Sequence, residues 1–420
     1  MKELKASYLD IILAIAEAVD LVSPNVNKHH KQVAVIAWNL AKEMGLHDKD
    51  TMTLFIAALL HDCGSVAFTL DDRLKTLDFD FENPNRHAVI GYHLLKDFSP
   101  LKQVAEIIKY HNARWFEGSG REHNGEKVPV HSFLIHLADR IAVSIDLNKE
   151  VLCQVEEIRN KIIDGEGMIF MPEIVDAFKR VSNCEYFWFD ATNPDNLIRE
   201  IVLKYNTDMI ISEKELLYYA ELFRRMIDFR SLFTSAHSIG VSVVATELAK
   251  KMGFSEGDVF LMKVAGLLHD IGKIAIPLEI LEKPASLTKD EFNIIKTHVY
   301  HSYRMLEKIP GFHKINAWAS LHHEKLNGTG YPFHYKVDKL ALGSRIMAVA
   351  DVFVAISEDR PYRDGMKEQQ ALNVLDSMEK ADQIDSKVVK CLKEDYENIN
   401  NLRKDAQKRI MEEFDNFLYS

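Results

Sequence analysis

Two stretches of the chain, NLAKEMGLHDKDTMTLFIAALLHDCGS (39–65) and ELAKKMGFSEGDVFLMKVAGLLHDIGK (247–273), lie over one another without a gap. His61 falls on His269 and, upstream, His29 falls on His237, both displaced by 208 residues. The match continues with small insertions: His87 over His298 and His111 over His322 at 211, and Asp139 over Asp351 at 212. A weaker tail match sets FMPEIVDAF (170–178) against IDSKVVKCL (384–392). One unit of about 200 residues is written twice, a stronger reading than the two or three domains that length alone suggests.

Both copies read as helical. Segments 33–44, 51–61, 241–252 and 258–268 carry apolar residues at i, i+3 and i+4 with good helix formers between them. Strand-like alternation is scarce, with one short hairpin expected near 331–341. The stretch 190–212 starts with turn residues and is the expected junction, bridged by a helix at 196–205. The expected architecture is all-α: residues 1–195 as one helical domain, 196–212 as linker and 213–420 as the second domain.

Composition narrows the function. With 47% hydrophobic and 27% charged residues the chain is globular, neither disordered nor fibrous. A formal charge of −11, with no basic face, argues against duplex nucleic acid as a partner. No apolar run approaches the ~20 residues that span a bilayer. The N-terminal IILAIAEA is read as part of an amphipathic helix (Leu9, Ile12, Leu13, Ala16, Val19) rather than a signal peptide. Four scattered cysteines suit a reducing compartment, so a cytoplasmic location is expected. Against those 4 cysteines stand 18 histidines, which points to imidazole chemistry.

In the second half, polar chemistry concentrates at His237, His269-Asp270, Lys273, His298, His322-His323 and Asp351. Imidazole mixed with carboxylate suits a divalent Fe, Mn, Ni or Co ion better than Mg or Ca. Adjacent helical residues point about 100° apart, so both pairs make sense at helix ends or with one member shared between two ions. His269-Asp270 follows the apolar run VAGLL, which puts two costly polar groups at the end of a buried helix.

The segments H237SIGV, LLHDIGKIAIP (267–277), KTHVYHSYRML (296–306), LHHEKLNGTGYP (321–332), SRIMAVADVF (344–353) and EDRPYR (358–363) together resemble the HD-GYP family, a branch of the HD-domain metal-dependent phosphohydrolases, in the family's order. The resemblance covers about 213–395 and implies two tandem HD-domain helical bundles, the first degenerate. It implies a dinuclear site: His237, His269, Asp270 and Asp351 for one ion, and Asp270, His298, His322 and His323 for the other. A third ion, held in some relatives by a Glu four residues before the first His, is not expected, because Phe233 stands there. Asn327 and Val354 also depart from the usual Asp residues. The implied activity is hydrolysis of a bacterial cyclic dinucleotide, 3′,3′-cGAMP or cyclic di-GMP, to a linear dinucleotide, with attack by a metal-bridging hydroxide. Lys273 would donate to a phosphate oxygen or the departing 3′-oxygen, Arg360 and Arg363 would clamp the anionic backbone, and Tyr331 would stack on a base. The GYP loop would also dock a diguanylate-cyclase-type partner. Oligomeric state stays open.

The first copy keeps His29, His61, Asp62, His87, His111 and Asp139, but Asn112 replaces the second His of the pair, Ser65 replaces the Lys, and 113–130 contains no GYP. His29, His61, Asp62 and Asp139 suffice for one vestigial mononuclear site, and a regulatory or packing role is favoured over catalysis. Two other readings compete for the whole chain. One is an HD phosphohydrolase acting on other nucleotides. The other is a non-catalytic nucleotide-sensing or interaction protein.

Overall fold

The computed structural model describes residues 6–21, 28–67, 85–205, 211–230, 236–359 and 364–418. The chain divides into two compact units, Tyr8–Thr207 and Met1–Ser7 with Asp208–Ser420. Both are built almost wholly of helices. The first contains α1 (Tyr8–Asp20), α2 (His29–Glu43), α3 (Asp48–Leu60), α4 (Asn85–Leu95), α5 (Lys102–Lys109), α6 (Val130–Ser144), α7 (Val155–Asp164), α8 (Pro172–Val181), α9 (Glu185–Thr192) and α10 (Pro194–Tyr205). The second contains α11 (Glu213–Arg230), α12 (His237–Lys251), α13 (Glu256–Leu268), α14 (Lys289–Glu307), α15 (His313–Ser320), α16 (Leu342–Ser357), α17 (Glu368–Lys380), α18 (Ser386–Glu394) and α19 (Tyr396–Leu418).

The duplication is visible helix by helix. α3 and α13 begin and end 208 residues apart. α2 and α12 also stop in the same way. Gly45 and Gly253 take φ of +70° and +79°, a conformation open to glycine. At each end a backbone N–H reaches back five residues, Leu46 to Ala41 and Phe254 to Ala249, both at 3.0 Å. The tail match of the sequence becomes α8 and α18.

Local chemistry fixes the starts of the second unit's helices. Ser255 Oγ accepts the N–H of Asp258 (3.2 Å) at the head of α13. Thr288 and Glu291 form a reciprocal capping box on α14, with Glu291 N–H on Thr288 Oγ1 (3.2 Å) and Thr288 N–H on Glu291 Oε2 (2.7 Å). Inside, α12 packs against α13, α16 and α19, and α14 against α15. The core between them is fully buried Leu248, Val264, Leu267, Val299, Ile346, Val349 and Phe353.

Two expectations change. Residues 331–341 form no hairpin. The N–H groups of Phe333 and Tyr335 are taken by the buried Glu324 carboxylate (2.7 and 3.0 Å), which leaves only an isolated bridge, Asn327 to Lys336. The described hairpin lies in the first unit instead, pairing β1 (Glu122–His123) with β2 (Glu126–Lys127). The second change concerns the expected linker, 196–212. Its helical part, α10, packs on α2 and α9 within the first unit, and Asp195 pairs with Lys28 and Lys31 (2.8 and 2.9 Å).

After each His-Asp pair comes one short 3₁₀ segment, Cys63–Ala67 and Ile271–Ala275. It runs hard against the helix carrying the next histidine. A Cβ on Gly64 would lie 2.1 Å from the His87 carbonyl oxygen, and one on Gly272 would lie 1.9 Å from that of His298. Only glycine permits this approach. Gly272→Ala is therefore expected to cost about 1–3 kcal/mol through overpacking. That lowers the Tm of a unit this size by roughly 2–10 °C, and an unchanged melting curve would contradict the packing.

Candidate metal centre

In the second unit the candidate residues arrive from five places. His237 is the first residue of α12, His269 caps the C-terminal end of α13 with Asp270 directly after it, and His298 lies within α14. His322 and His323 follow the end of α15, and Asp351 lies within α16. The adjacent pairs thus sit at helix ends, where the chain can turn both members inward.

Asp270, 1% exposed, lies at the centre. Its Oδ2 is 3.2 Å from His269 Nε2 and 3.8 Å from His237 Nε2. Its Oδ1 is 3.3 Å from His298 Nε2 and 3.9 Å from His322 Nε2. Asp351 Oδ1 is 3.1 Å from His237 Nε2 and 3.9 Å from His269 Nε2, and its Oδ2 is 3.8 Å from His323 Nδ1. Three sets of donor atoms lie within 4.8 Å of one another: His237/His269/Asp351, His269/Asp270/His322 and His298/His322/His323.

The protonation pattern suits cations. His269, His298 and His322 each donate Nδ1–H to the carbonyl three residues earlier (Gly266, 2.8 Å; Ile295, 2.6 Å; Ala319, 2.6 Å). This leaves each Nε2, on the far side of the ring, as the atom that a cation would meet. These three Nε2 atoms and Asp270 Oδ1 are buried and have no hydrogen-bond partner among the described residues. Four such orphans converging on one point would be costly in a core without a bound cation, and they fit one.

Electrostatics agree. Burial would raise the Asp270 carboxyl, but His269, Lys273 and His298 outweigh it and hold the group well below the usual carboxylate range. Asp351 is likewise held down against burial, chiefly by His237. Burial and the neighbouring His323 push His322 well below its ordinary value, and burial lowers His323 to about 3, so both are neutral imidazoles at pH 7. His237 goes the other way. Burial lowers it, but the Glu358 and Asp351 carboxylates outweigh burial and push it up to about 10.

Lys273 does not point freely into the site. Its ammonium lies 2.5 Å from Asp270 Oδ2. Tyr331 packs on His323, with ring centroids 4.9 Å apart at 31°. Arg360, Arg363 and Phe233 lie outside the described residues. Sequence reasoning missed Glu358, whose two carboxylate oxygens both lie 3.1 Å from His237 Nδ1. It was in view only as the first letter of EDRPYR.

The first unit assembles a similar cluster with different partners. His29 Nε2 lies 3.1 Å from Asp139 Oδ1, and His87 and His111 Nε2 lie 3.1 and 3.5 Å from Asp62 Oδ1. His29/His61/Asp139 and His61/Asp62/His111 each bring three donors together. Three neighbours distinguish it. Asn112 Nδ2 donates towards His111 Nε2 (2.8 Å) and lies 3.2 Å from His87 Nε2. Arg140 Nη2 holds the outer oxygen of Asp139 (2.6 Å), and Ser65 is buried where Lys273 stands in the other copy. His30, next to His29, is buried on the Asp20 carboxylate. Beside Asn112 a cavity of about 820 Å³ is lined by Lys109, Arg114, Phe116 and His123 among others.

Residues 221–388 and, separately, 26–144 match a protein-family profile described as an HD domain. A 3′3′-cGAMP-specific phosphodiesterase of Vibrio cholerae serotype O1 is 30% identical over 382 residues, covering 89% of this chain and 88% of its own. The chain belongs to the HD-GYP family. A cyclic di-GMP phosphodiesterase response regulator of Xanthomonas campestris pv. campestris is 40% identical over 153 residues, 36% of this chain and 40% of its own. A solved structure of a cyclic GMP-AMP specific phosphodiesterase from Vibrio cholerae covers 92% of this chain and 97% of its own at a TM-score of 0.64 and 22% identity, which shows a shared fold. HD-GYP phosphodiesterases are metal-dependent, and the His/Asp clusters are donor sets for divalent cations. Among the described residues no helix is long and apolar enough to cross a membrane.

A cation bound at His237 must displace the proton that Glu358 and Asp351 keep there up to about pH 10. Metal uptake by the stripped protein at pH 7 is therefore expected to release about one proton from this histidine, and affinity should strengthen as pH rises. Titration with Mn²⁺ in weakly buffered indicator solution measures it. Uptake without proton release would mean that His237 is not a ligand.

Proposed function

We propose that the second unit hydrolyses a phosphodiester bond of a bacterial cyclic dinucleotide to give a linear dinucleotide. The reading gives one divalent cation to His237, His269, Asp270 and Asp351, and a second to Asp270, His298, His322 and His323. Iron, manganese or nickel suits this donor set better than magnesium. The observation that carries the reading is the convergence of three unpartnered Nε2 atoms and one unpartnered carboxylate oxygen around Asp270. Between the two dinucleotides named for its relatives, 3′,3′-cGAMP is favoured, because the relative with that specificity in its name matches through nearly the whole chain.

Divalent cations in such a site supply Lewis-acid charge to a phosphoryl oxygen and lower the pKa of a bound water. The chain's own residues prepare for this. Asp270 divides its two oxygens between two groups of imidazoles, and His322 and His323 stay neutral, so their lone pairs remain available at physiological pH. Lys273 neutralises Asp270 from outside the cluster and is the nearest ammonium to meet a phosphate oxygen. Tyr331, packed on the half-open His323, forms a wall against which a base can lie.

The first unit is read as regulatory rather than hydrolytic. The Asn112 amide occupies imidazole nitrogens that a second cation would need, and the Arg140 guanidinium takes one oxygen of Asp139. Ser65 supplies no ammonium.

A substrate panel tests the assignment. Metal-loaded protein is expected to convert 3′,3′-cGAMP, cyclic di-GMP or both to linear products while leaving dGTP and ppGpp intact. Turnover of only the latter pair would place the enzyme among general HD phosphohydrolases, and no turnover at all would favour a sensing role. His269→Ala with Asp270→Ala is expected to lower kcat at least about a thousandfold, the equivalent of ~4 kcal/mol of lost transition-state stabilisation. By contrast, His61→Ala or Ser65→Lys is expected to change the rate by less than about tenfold. A collapse in either first-unit variant would overturn the regulatory assignment.

A further inference from the structure

The ligand-type imidazoles of the second unit are held in two different ways. His269, His298 and His322 use carbonyls three residues upstream. His237 is the first residue of α12. Its Nδ1 instead meets Glu358, 3.1 Å from each carboxylate oxygen and 121 residues away in sequence. Glu358 is 7% exposed and follows directly on the end of α16, the helix that carries Asp351.

The C-terminal helix α19 in turn holds Glu358. Gln407 Nε2 donates to Glu358 Oε2 (3.3 Å) and to the carbonyl of Ala236 (3.0 Å), the residue before His237. Arg403, 2% exposed, donates Nη2–H to the Ser357 carbonyl (3.1 Å) on the other side. Gly240, one turn beyond His237, makes room: a Cβ there would lie 2.9 Å from Gln407 Nε2 and 3.1 Å from Val354 Cγ1. The C-terminal helix α19 therefore lays its buried side against the residues that frame His237.

The first unit provides an internal comparison. At the same displacement of 212 that relates Asp139 to Asp351, Glu358 corresponds to Asp146. Asp146 turns to its own loop, accepting the N–H of Asn148 (3.0 Å) and pairing with Lys149 (3.1 Å). The carboxylate on the helix-opening histidine is thus a feature of the second unit, the one with the fuller donor set.

We propose that Glu358 is a positioning residue of the metal centre. It holds His237 with a proton on Nδ1 so that Nε2 is presented to a cation beside Asp351, and α19 locks Glu358 in place through Gln407 and Arg403. A carboxylate behind a ligand histidine is worth roughly 10–100-fold in metal affinity. The C-terminal helix therefore sets how tightly the His237 side of the site holds its ion. This rests on the reading of 237–351 as a metal centre.

The test is a Mn²⁺ titration of metal-stripped full-length protein against a chromophoric chelator, with no substrate present. Glu358→Ala is expected to weaken one Mn²⁺ site by roughly 10–100-fold and leave the other within about twofold. Glu358→Gln, whose amide oxygen still accepts the Nδ1–H, recovers most of that affinity. Added Mn²⁺ restores kcat in Glu358→Ala with KM near the wild-type value, a rescue that a merely misfolded site would not show. Wild-type affinity at both sites in Glu358→Ala overturns the proposal. Should that variant fail to fold, Gln407→Ala decides, since Gln407 touches no ligand: weaker binding at one site supports the proposal and wild-type binding at both overturns it. If the wild-type protein itself takes up no Mn²⁺, the metal-centre reading fails, a result distinct from the failure of Glu358's role.

Discussion

A buried carboxylate ringed by imidazoles whose Nδ1 sides are already committed to backbone carbonyls is the constraint around which the second unit is built. Asp270 is shielded from water, and the Nε2 atoms of His269, His298 and His322 face the same space with no hydrogen-bond partner among the described residues. An uncompensated arrangement of this kind is costly in a core. Lys273 relieves part of it from one side, and cations between the nitrogens would relieve the rest. Much else in the fold serves that convergence. The His-Asp pair sits at a helix end, Gly272 lets α14 come close, and three backbone carbonyls fix the tautomers.

The two copies relieve that tension to different degrees. In the first unit Asn112 donates into the imidazole cluster and Arg140 covers Asp139, while His29 and His61 keep Nε2 atoms with no hydrogen-bond partner among the described residues. The loop that carries GYP in the second copy is replaced by 113–130, whose hairpin borders a separate cavity. Divergence has therefore acted on the neighbours of the ligands more than on the ligands, six of which remain in the first unit as His29, His61, Asp62, His87, His111 and Asp139.

How far the sequence could be read follows from which signals are local. The repeat placed α2, α3, α12 and α13, and the ligand-type residues of both copies, because a constant displacement survives in the linear text. The all-α class followed from apolar periodicity. The hairpin at 331–341 failed because a side chain, Glu324, took the backbone N–H groups that a ladder would use, and no periodicity announces that. Glu358 was missed for a different reason. It lies past the end of a helix, 121 residues from His237, and its role comes from packing against α19. Among the described residues of the first copy, Asp146 makes no matching contact that a repeat could have exposed.

The most direct test is anomalous scattering from crystals of the full-length protein grown with Mn²⁺ and measured on both sides of the manganese absorption edge. The account predicts two peaks in the second unit, one on each oxygen of Asp270, bounded by His237/His269/Asp351 and by His298/His322/His323, with no more than one in the first unit. Two peaks in the first unit, or none at Asp270, would contradict it.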